Sequence, residues 1–343
     1  MTRDGAAFPC AVLHGDGNEA ATGGRFVKRV CSAGRYEWVF CDAVYAIAGA
    51  YEIRTHSGKG LGVFATRDIK EGERILCERP LATWTVDERS LNDGTARREE
   101  MLQCIVEALS PSKQVQFYAL SQSERWYGEK KTALGVWMCN AYPVHPHDEE
   151  SAGTVSAAVF RHICRINHSC SPNTHQDWNE TLKRETVHCI QDIRAGEEFT
   201  LNYLGGPGAG YQRDARQVAL MQKFGFLCDC SLCTLQDGAL KQSEERQGRL
   251  STISLHLKAS PPPEDDEFVR LVTEKLLLLA QEGLPQCCAH VSMFEAMMRC
   301  RQLGNETAAA RWAARATECA RSAFGTDSST YLLYEQLLSL SSA

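Results

Sequence analysis

Three short motifs follow one another between Arg165 and Cys233, and together they constrain the fold more than any other feature of the chain. The first is Arg165-Ile166-Asn167-His168-Ser169-Cys170-Ser171-Pro172-Asn173. A lone histidine reads best as a core or surface residue. Flanked by Asn167, Cys170, Pro172 and Asn173, His168 is not alone. The second motif, Gly196-Glu197-Glu198-Phe199-Thr200-Leu201-Asn202-Tyr203, reads as a turn running into a strand. Its two glutamates belong to the turn and are not assigned acid/base work. The third, Cys228-Asp229-Cys230-Ser231-Leu232-Cys233, gathers three thiols, one short of the four ligands of a structural zinc site. A redox Cys-x-x-Cys pair is the weaker reading, because no thioredoxin-like βαβ pattern surrounds it.

The 343 residues suffice for two or three domains with their own cores, and 43% hydrophobic with 23% charged residues is an ordinary globular balance. A net charge of −6 argues against a general nucleic-acid-binding surface and suits a basic peptide partner better. The first ten residues do not read as a signal peptide. The apolar run Leu276–Ala280 is too short to span a bilayer, so no membrane association is expected. The sixteen cysteines are then expected to be mostly thiols in a cytoplasmic or nuclear compartment.

Along the chain, residues 1–50 read as a partly ordered extension, in which Cys31 and Cys41 are too far apart to pair as zinc ligands. Strands are expected from Tyr51, after the glycine turn Gly58-Lys59-Gly60-Leu61-Gly62, and over Arg74–Glu78. The period then turns helical: Met101, Leu102, Ile105, Val106 and Leu109 mark one helix stopped by Pro111, and Val115 to Leu120 starts another. This block, about 95–135, has the form of an insertion between two β-rich halves. Residues 144–156 read as a loop, and strand patterns return at Thr186–Ile190 and Phe199–Tyr203. Residues 237–265, ending in the Pro-rich acidic run from Ser260, read as a linker. Three helices follow in 266–343, with faces at Phe268/Leu271/Val272/Leu276/Leu279, at Val291/Phe294/Met297/Met298/Leu303 and at Ala308/Trp312/Ala316/Cys319/Ala320. Their hairpin form is similar to one tetratricopeptide unit, which would offer a peptide contact; the plainer reading is that they cover the rest of the chain.

In this order the motifs resemble the SET domain of protein-lysine methyltransferases with its zinc-binding post-SET tail. The resemblance covers roughly residues 51–236, with a SET domain over 51–206 and the tail over 207–236. It implies a mainly β fold with α elements, namely a pseudo-knotted β-rich core with a helical insertion, followed by an all-α C-terminal region. It also implies S-adenosyl-L-methionine as methyl donor, a structural zinc ion, and a protein or peptide substrate carrying lysine. Lys59, Gly60, Leu61 and Gly62 match the glycine segment that approaches the donor with backbone atoms. Cys139-Asn140-Ala141 resembles the subgroup split by a MYND zinc finger, which makes Asn140 a contact for the donor's amino-acid end. Asn167 and His168 would bind the donor from a segment threaded beneath the chain of Tyr203. Phe224 and Phe226 would close over the adenine. Cys170 would complete the zinc set with Cys228, Cys230 and Cys233. No MYND-type ligand array is recognised near residue 95, so the chain looks like the members of that subgroup without the finger.

Tyr203 is the candidate catalytic residue, and also borders the donor. Methyl transfer to lysine needs a neutral amine, whereas a free lysine near pKa 10.4 is protonated at pH 7. An apolar channel and a nearby sulfonium both lower that pKa, which leaves alignment as the main task. A phenol near pKa 10 is a poor base but a good orienting group. Tyr142 and Tyr211 are candidates for a second channel aromatic. The contrasting expectation is a SET fold that has lost transfer and serves as a binding scaffold.

Overall fold

The computed structural model describes residues 49–56, 58–87, 94–144, 154–205 and 212–340, together with strands at 26–30, 36–40 and 45–46. Tyr211, Cys31 and Cys41 lie outside the described residues. Before the first helix come β1 (Phe26–Val30), β2 (Tyr36–Phe40), β3 (Tyr45–Ala46), β4 (Tyr51–His56), β5 (Gly60–Ala65), β6 (Arg74–Glu78) and β7 (Ala82–Asp87). β1 and β2 pair antiparallel, within the stretch read as an extension. β4 and β5 form a hairpin whose turn places Gly58 and Gly60 at φ of 80° and 77°, a region that glycine enters without steric cost.

The expected insertion is four helices, α1 (Thr95–Glu107), α2 (Pro111–Tyr118), α3 (Glu124–Tyr127) and α4 (Ala133–Asn140). Pro111 both ends the first and opens the second, where its missing N–H costs nothing. Leu102, Val106, Phe117, Leu134 and Trp137 bury against Trp84 and Val86 of β7. β8 (Tyr142–Val144) and β9 (Thr154–Val159) then complete a sheet of order β7-β9-β8. None of these three strands was legible in the sequence.

β10 (Asn167–His168), β11 (Thr174–Asn179), β12 (Arg184–Cys189) and β13 (Thr200–Leu201) follow. β11, β12, β6 and β3 make the largest sheet, while β10 runs parallel to β13. Asn173 reinforces that short pairing: its side chain donates to the Glu198 carbonyl at 2.8 Å and accepts from the Thr200 N–H at 2.7 Å. One side-chain amide thus bonds the backbone on both sides of Phe199, as a neighbouring strand would.

The remaining helices are α5 (Arg213–Phe224), α6 (Asp237–Leu257), α7 (Asp265–Gln281), α8 (His290–Gln302), α9 (Glu306–Phe324) and α10 (Ser329–Leu340). Among the described residues every strand precedes α5 and the C-terminal region is all helical, as expected. The expected linker 237–265 is corrected, because α6 occupies most of it. Ser243, Gln247, Leu250, Ile253 and Leu257 share its buried face, a 3.6-residue period hidden by the polar members of the stripe. Ser243 and Gln247 bond to the buried Glu282, which a purely apolar search overlooks. In α8 the buried face is Met293, Ala296, Met297 and Cys300, whereas Val291, Met298 and Leu303 are exposed.

The helical array packs on the strands. Phe324 at the end of α9 meets His175 of β11 edge-on, with ring centroids 5.1 Å apart. Arg74 of β6 reaches Asp327, and Asn179 donates to the same carboxylate at 3.3 Å. A Cβ on Gly325 would come within 2.6 Å of His188 Nε2, so the seam needs glycine there. Among the described residues no helix is long and apolar enough to cross a membrane.

Candidate functional site

Tyr203 follows β13 in a turn, not within the strand expected to run to it. Its backbone N–H donates to His168 Nδ1 at 3.0 Å and its hydroxyl to the Ile166 carbonyl at 2.7 Å. Backbone and hydroxyl of Tyr203 are therefore both held by the Ile166–His168 segment. Burial raises its pKa well above the ordinary tyrosine value, with nearby Cys164 and Glu198 adding to the effect. It stays neutral across the physiological range. Its ring lies 4.9 Å from Phe224 and 5.2 Å from His168.

Three cavities touch this tyrosine. The largest, about 510 Å³, is lined by Tyr142, Asn140, Cys164, Gln176, Lys223 and Phe224 among others. A second, about 140 Å³, is lined by Lys59, Leu61, Asn140, Asn167, Phe224 and Phe226 among others. The third, about 250 Å³, is lined by Gly58, Lys59, Asn167, His168, Phe226 and Asp229 among others. The first and third share Tyr203 alone. Most of the residues singled out from the sequence thus gather around one point. Gly60 and Gly62 do not line these cavities.

Gly62 has a different constraint from the one the resemblance implies. A Cβ there would meet Glu198 Oε1 at 2.5 Å and Asn167 Nδ2 at 3.1 Å. Glycine is required so that these two side chains can meet. Asn167 donates to Glu198 Oε1 at 2.7 Å and to the Leu61 carbonyl at 3.2 Å, and His56 Nε2 lies 3.6 Å from the other Glu198 oxygen. Glu198 is thus the anchor of Asn167, a role the sequence did not suggest. Glu197 does stay in the turn, capping the Arg194 N–H at 2.9 Å.

Asn140, at the end of α4, donates its amide protons to the Ser121 and Val136 carbonyls at 2.7 and 2.6 Å. What it can offer the cavities is its carbonyl oxygen, an acceptor suited to an ammonium group. Phe224 lines both the largest cavity and its smaller neighbour, whereas Phe226 lines the two that contain Lys59.

Cys170, Cys228, Cys230 and Cys233 bring their sulfurs within 4.8 Å of one another, and Cys170 and Cys233 lie 3.6 Å apart. A tetrahedron with zinc–sulfur arms of about 2.3 Å has edges of about 3.8 Å, so the donor set fits zinc. Two further contacts suit thiolates. Arg216 points its guanidinium at Cys233 Sγ, 3.8 Å away, and the Cys230 N–H lies 3.5 Å from Cys228 Sγ. Because His168 Nδ1 accepts from Tyr203, its proton sits on Nε2, facing Cys170 Sγ at 3.3 Å. Burial holds its pKa down to about 4, so the ring is neutral. One imidazole thereby ties the cysteine cluster to Tyr203. Among the described residues every cysteine is a free thiol.

Comparison with known proteins agrees with this geometry: residues 60–204 match the SET domain family model. Residues 60–204 thus carry a SET domain. The chain is 25% identical over 283 residues to "Histone-lysine N-methyltransferase set5" of Schizosaccharomyces pombe, covering 82% of this chain and 81% of that protein. It is 36% identical over 88 residues to "Histone-lysine N-methyltransferase ATXR4" of Arabidopsis thaliana, 26% of each. To human "N-lysine methyltransferase SMYD2" it is 29% identical over 99 residues, 29% of this chain and 21% of that one. Within the SET match lie Lys59's neighbours Gly60 to Gly62, Asn140, Asn167, His168, Cys170 and Tyr203; the cysteine triplet lies beyond it.

Proposed function

We propose that this chain is an S-adenosylmethionine-dependent protein-lysine N-methyltransferase whose post-SET tail carries one structural zinc ion. The observation that carries the reading is Tyr203, the single residue shared by the largest cavity and the cavity bounded by the cysteine tail. A group transferred between two molecules passes such a point. Lys59, Asn167, His168 and Phe226 would hold the donor on one side, with the Asn140 carbonyl near its amino-acid end. Tyr142 would line the entry of the lysine side chain on the other, while Phe224, expected from the sequence at the adenine, stands in the walls of both the largest and the 140 Å³ cavity. The donor supplies an electrophilic methyl on a sulfonium.

The chain's own task is then to present a neutral amine in line. Burial among Met138, Tyr142, Pro143 and Phe224 in the larger cavity would disfavour the ammonium form through desolvation. Tyr203 cannot serve as the base, because its phenol is held above the ordinary value and its proton is engaged with Ile166. It acts by orientation, which can supply several kcal/mol. Four cysteines staple the tail to the Asn167–Cys170 segment, so metal binding and donor-site order are coupled.

The test is incubation of the protein with methyl-labelled donor and a panel of lysine-bearing proteins and peptides. Label on lysine Nε, as mono-, di- or trimethyl product, is the expected result. Donor binding with no label on any acceptor would favour a scaffold; label on another residue type would move the chain to a different acceptor class.

A further inference from the structure

Lys59 sits in the turn between β4 and β5, and Asp229 stands between two cysteines of the tail. Lys59 Nζ and Asp229 Oδ1 are 2.8 Å apart. Both line the 250 Å³ cavity, which also includes Gly58, Asn167 and His168 on one side and Phe226 and Leu227 on the other. The ion pair therefore joins the glycine turn to the cysteine tail across the same cavity. Asp229 is not itself a sulfur ligand, and its side chain is 67% exposed. Its contact is with the turn, not with the cluster that flanks it.

We propose that Asp229 is a positioning residue: through Lys59 it latches the tail to the glycine turn and so sets how firmly the donor cavity is held closed. This rests on the donor-binding reading above. A latch made of one partly exposed ion pair is modest in strength and open to screening by salt. Its loss should loosen donor binding by roughly two- to fivefold without touching the alignment of reacting atoms at Tyr203.

The experiment uses the full chain, with Asp229→Asn and Asp229→Glu as variants. S-adenosylhomocysteine binding is measured by calorimetry at about 0.05 M and about 0.5 M salt, alongside zinc content and steady-state kinetics. The expected result has three parts. Asp229→Asn raises the dissociation constant two- to fivefold at low salt, with the gap to wild type closing at high salt. Donor KM rises by the same factor while kcat holds. Asp229→Glu recovers most of the affinity, and all three proteins carry equal zinc. Equal affinity of wild type and Asp229→Asn at low salt would overturn the latch. So would a weakening that is indifferent to salt, or one that tracks zinc loss, since either assigns Asp229 to the cysteine cluster alone. If wild type binds no S-adenosylhomocysteine, the donor reading itself fails; if it binds normally and the variant matches it, only the latch does.

Discussion

The cavities on either side of Tyr203 are built from different materials. Around Lys59, Asn167 and His168, nearly every polar group has a fixed partner: Asn167 on Glu198 and Leu61, Lys59 on Asp229, His168 between Tyr203 and Cys170. The larger cavity sets rings, thiols and aliphatic carbon from Tyr142, Phe224, Cys164, Met138 and Pro143 beside the polar side chains of Asn140, Gln176, Asn202 and Lys223. A preorganised polar site suits one invariant molecule with many hydrogen-bonding groups. A roomier site with rings in its wall suits a flexible aliphatic chain that must shed water. On the proposed reading, recognition and activation are divided, with Tyr203 as the boundary.

The largest expected effect comes from that boundary. Tyr203→Phe keeps the ring but loses the hydroxyl bonded to Ile166, so transfer should fall by about tenfold or more, each tenfold being about 1.4 kcal/mol of lost alignment. Affinity for S-adenosylhomocysteine should stay within about twofold. In the wild type, any rise in rate above neutrality should follow the acceptor amine, because a raised phenol does not titrate there. Turnover of Tyr203→Phe equal to wild type would erase the boundary.

Removing a sulfur should strike the polar side first. Cys230→Ser, or prolonged chelation, should drop bound zinc well below one per chain and weaken donor binding by about an order of magnitude. Elemental analysis finding no zinc in untreated protein would contradict it. Gly62→Ala should come next: a methyl 2.5 Å from Glu198 must displace that carboxylate or Asn167, at a cost of about 1–3 kcal/mol in stability or donor affinity. Thermal unfolding and donor titration together locate the loss. Glu198→Gln should be the mildest of these, because an amide can still accept from Asn167, and a few-fold loss of donor affinity is expected. A loss as large as that of Gly62→Ala would make the Glu198 charge, not its geometry, the working part.

The same division explains what was legible in the sequence. Asn167-His168, Tyr203 and the cysteine triplet could be picked out because each motif is local and its residue types are chemically unusual together. Glu198 was set aside as a turn residue because its partner Asn167 lies 31 positions earlier and no local pattern links them. The Lys59–Asp229 pair was hidden for the same reason. The helical register of α6 was missed because Ser243 and Gln247 interrupt its apolar stripe while bonding to Glu282. In α8 the large side chains Val291 and Met298 drew attention to the outer face, while smaller Ala296 and Cys300 fill the inner one. Tyr142 was one of two channel candidates, and the fold brings it into the wall of the largest cavity.

The division at Tyr203 can be tested by truncating one ring on each side. Phe226→Ala and Tyr142→Ala are compared with wild type for S-adenosylhomocysteine affinity and for the KM of a methyl-accepting peptide, with melting temperatures to establish that both variants fold. The account predicts a crossed outcome: Phe226→Ala weakens donor binding and leaves peptide KM near wild type, while Tyr142→Ala raises peptide KM and leaves donor binding intact. Equal losses of both quantities in both variants would contradict it, because the cavities would then act as a single undivided site.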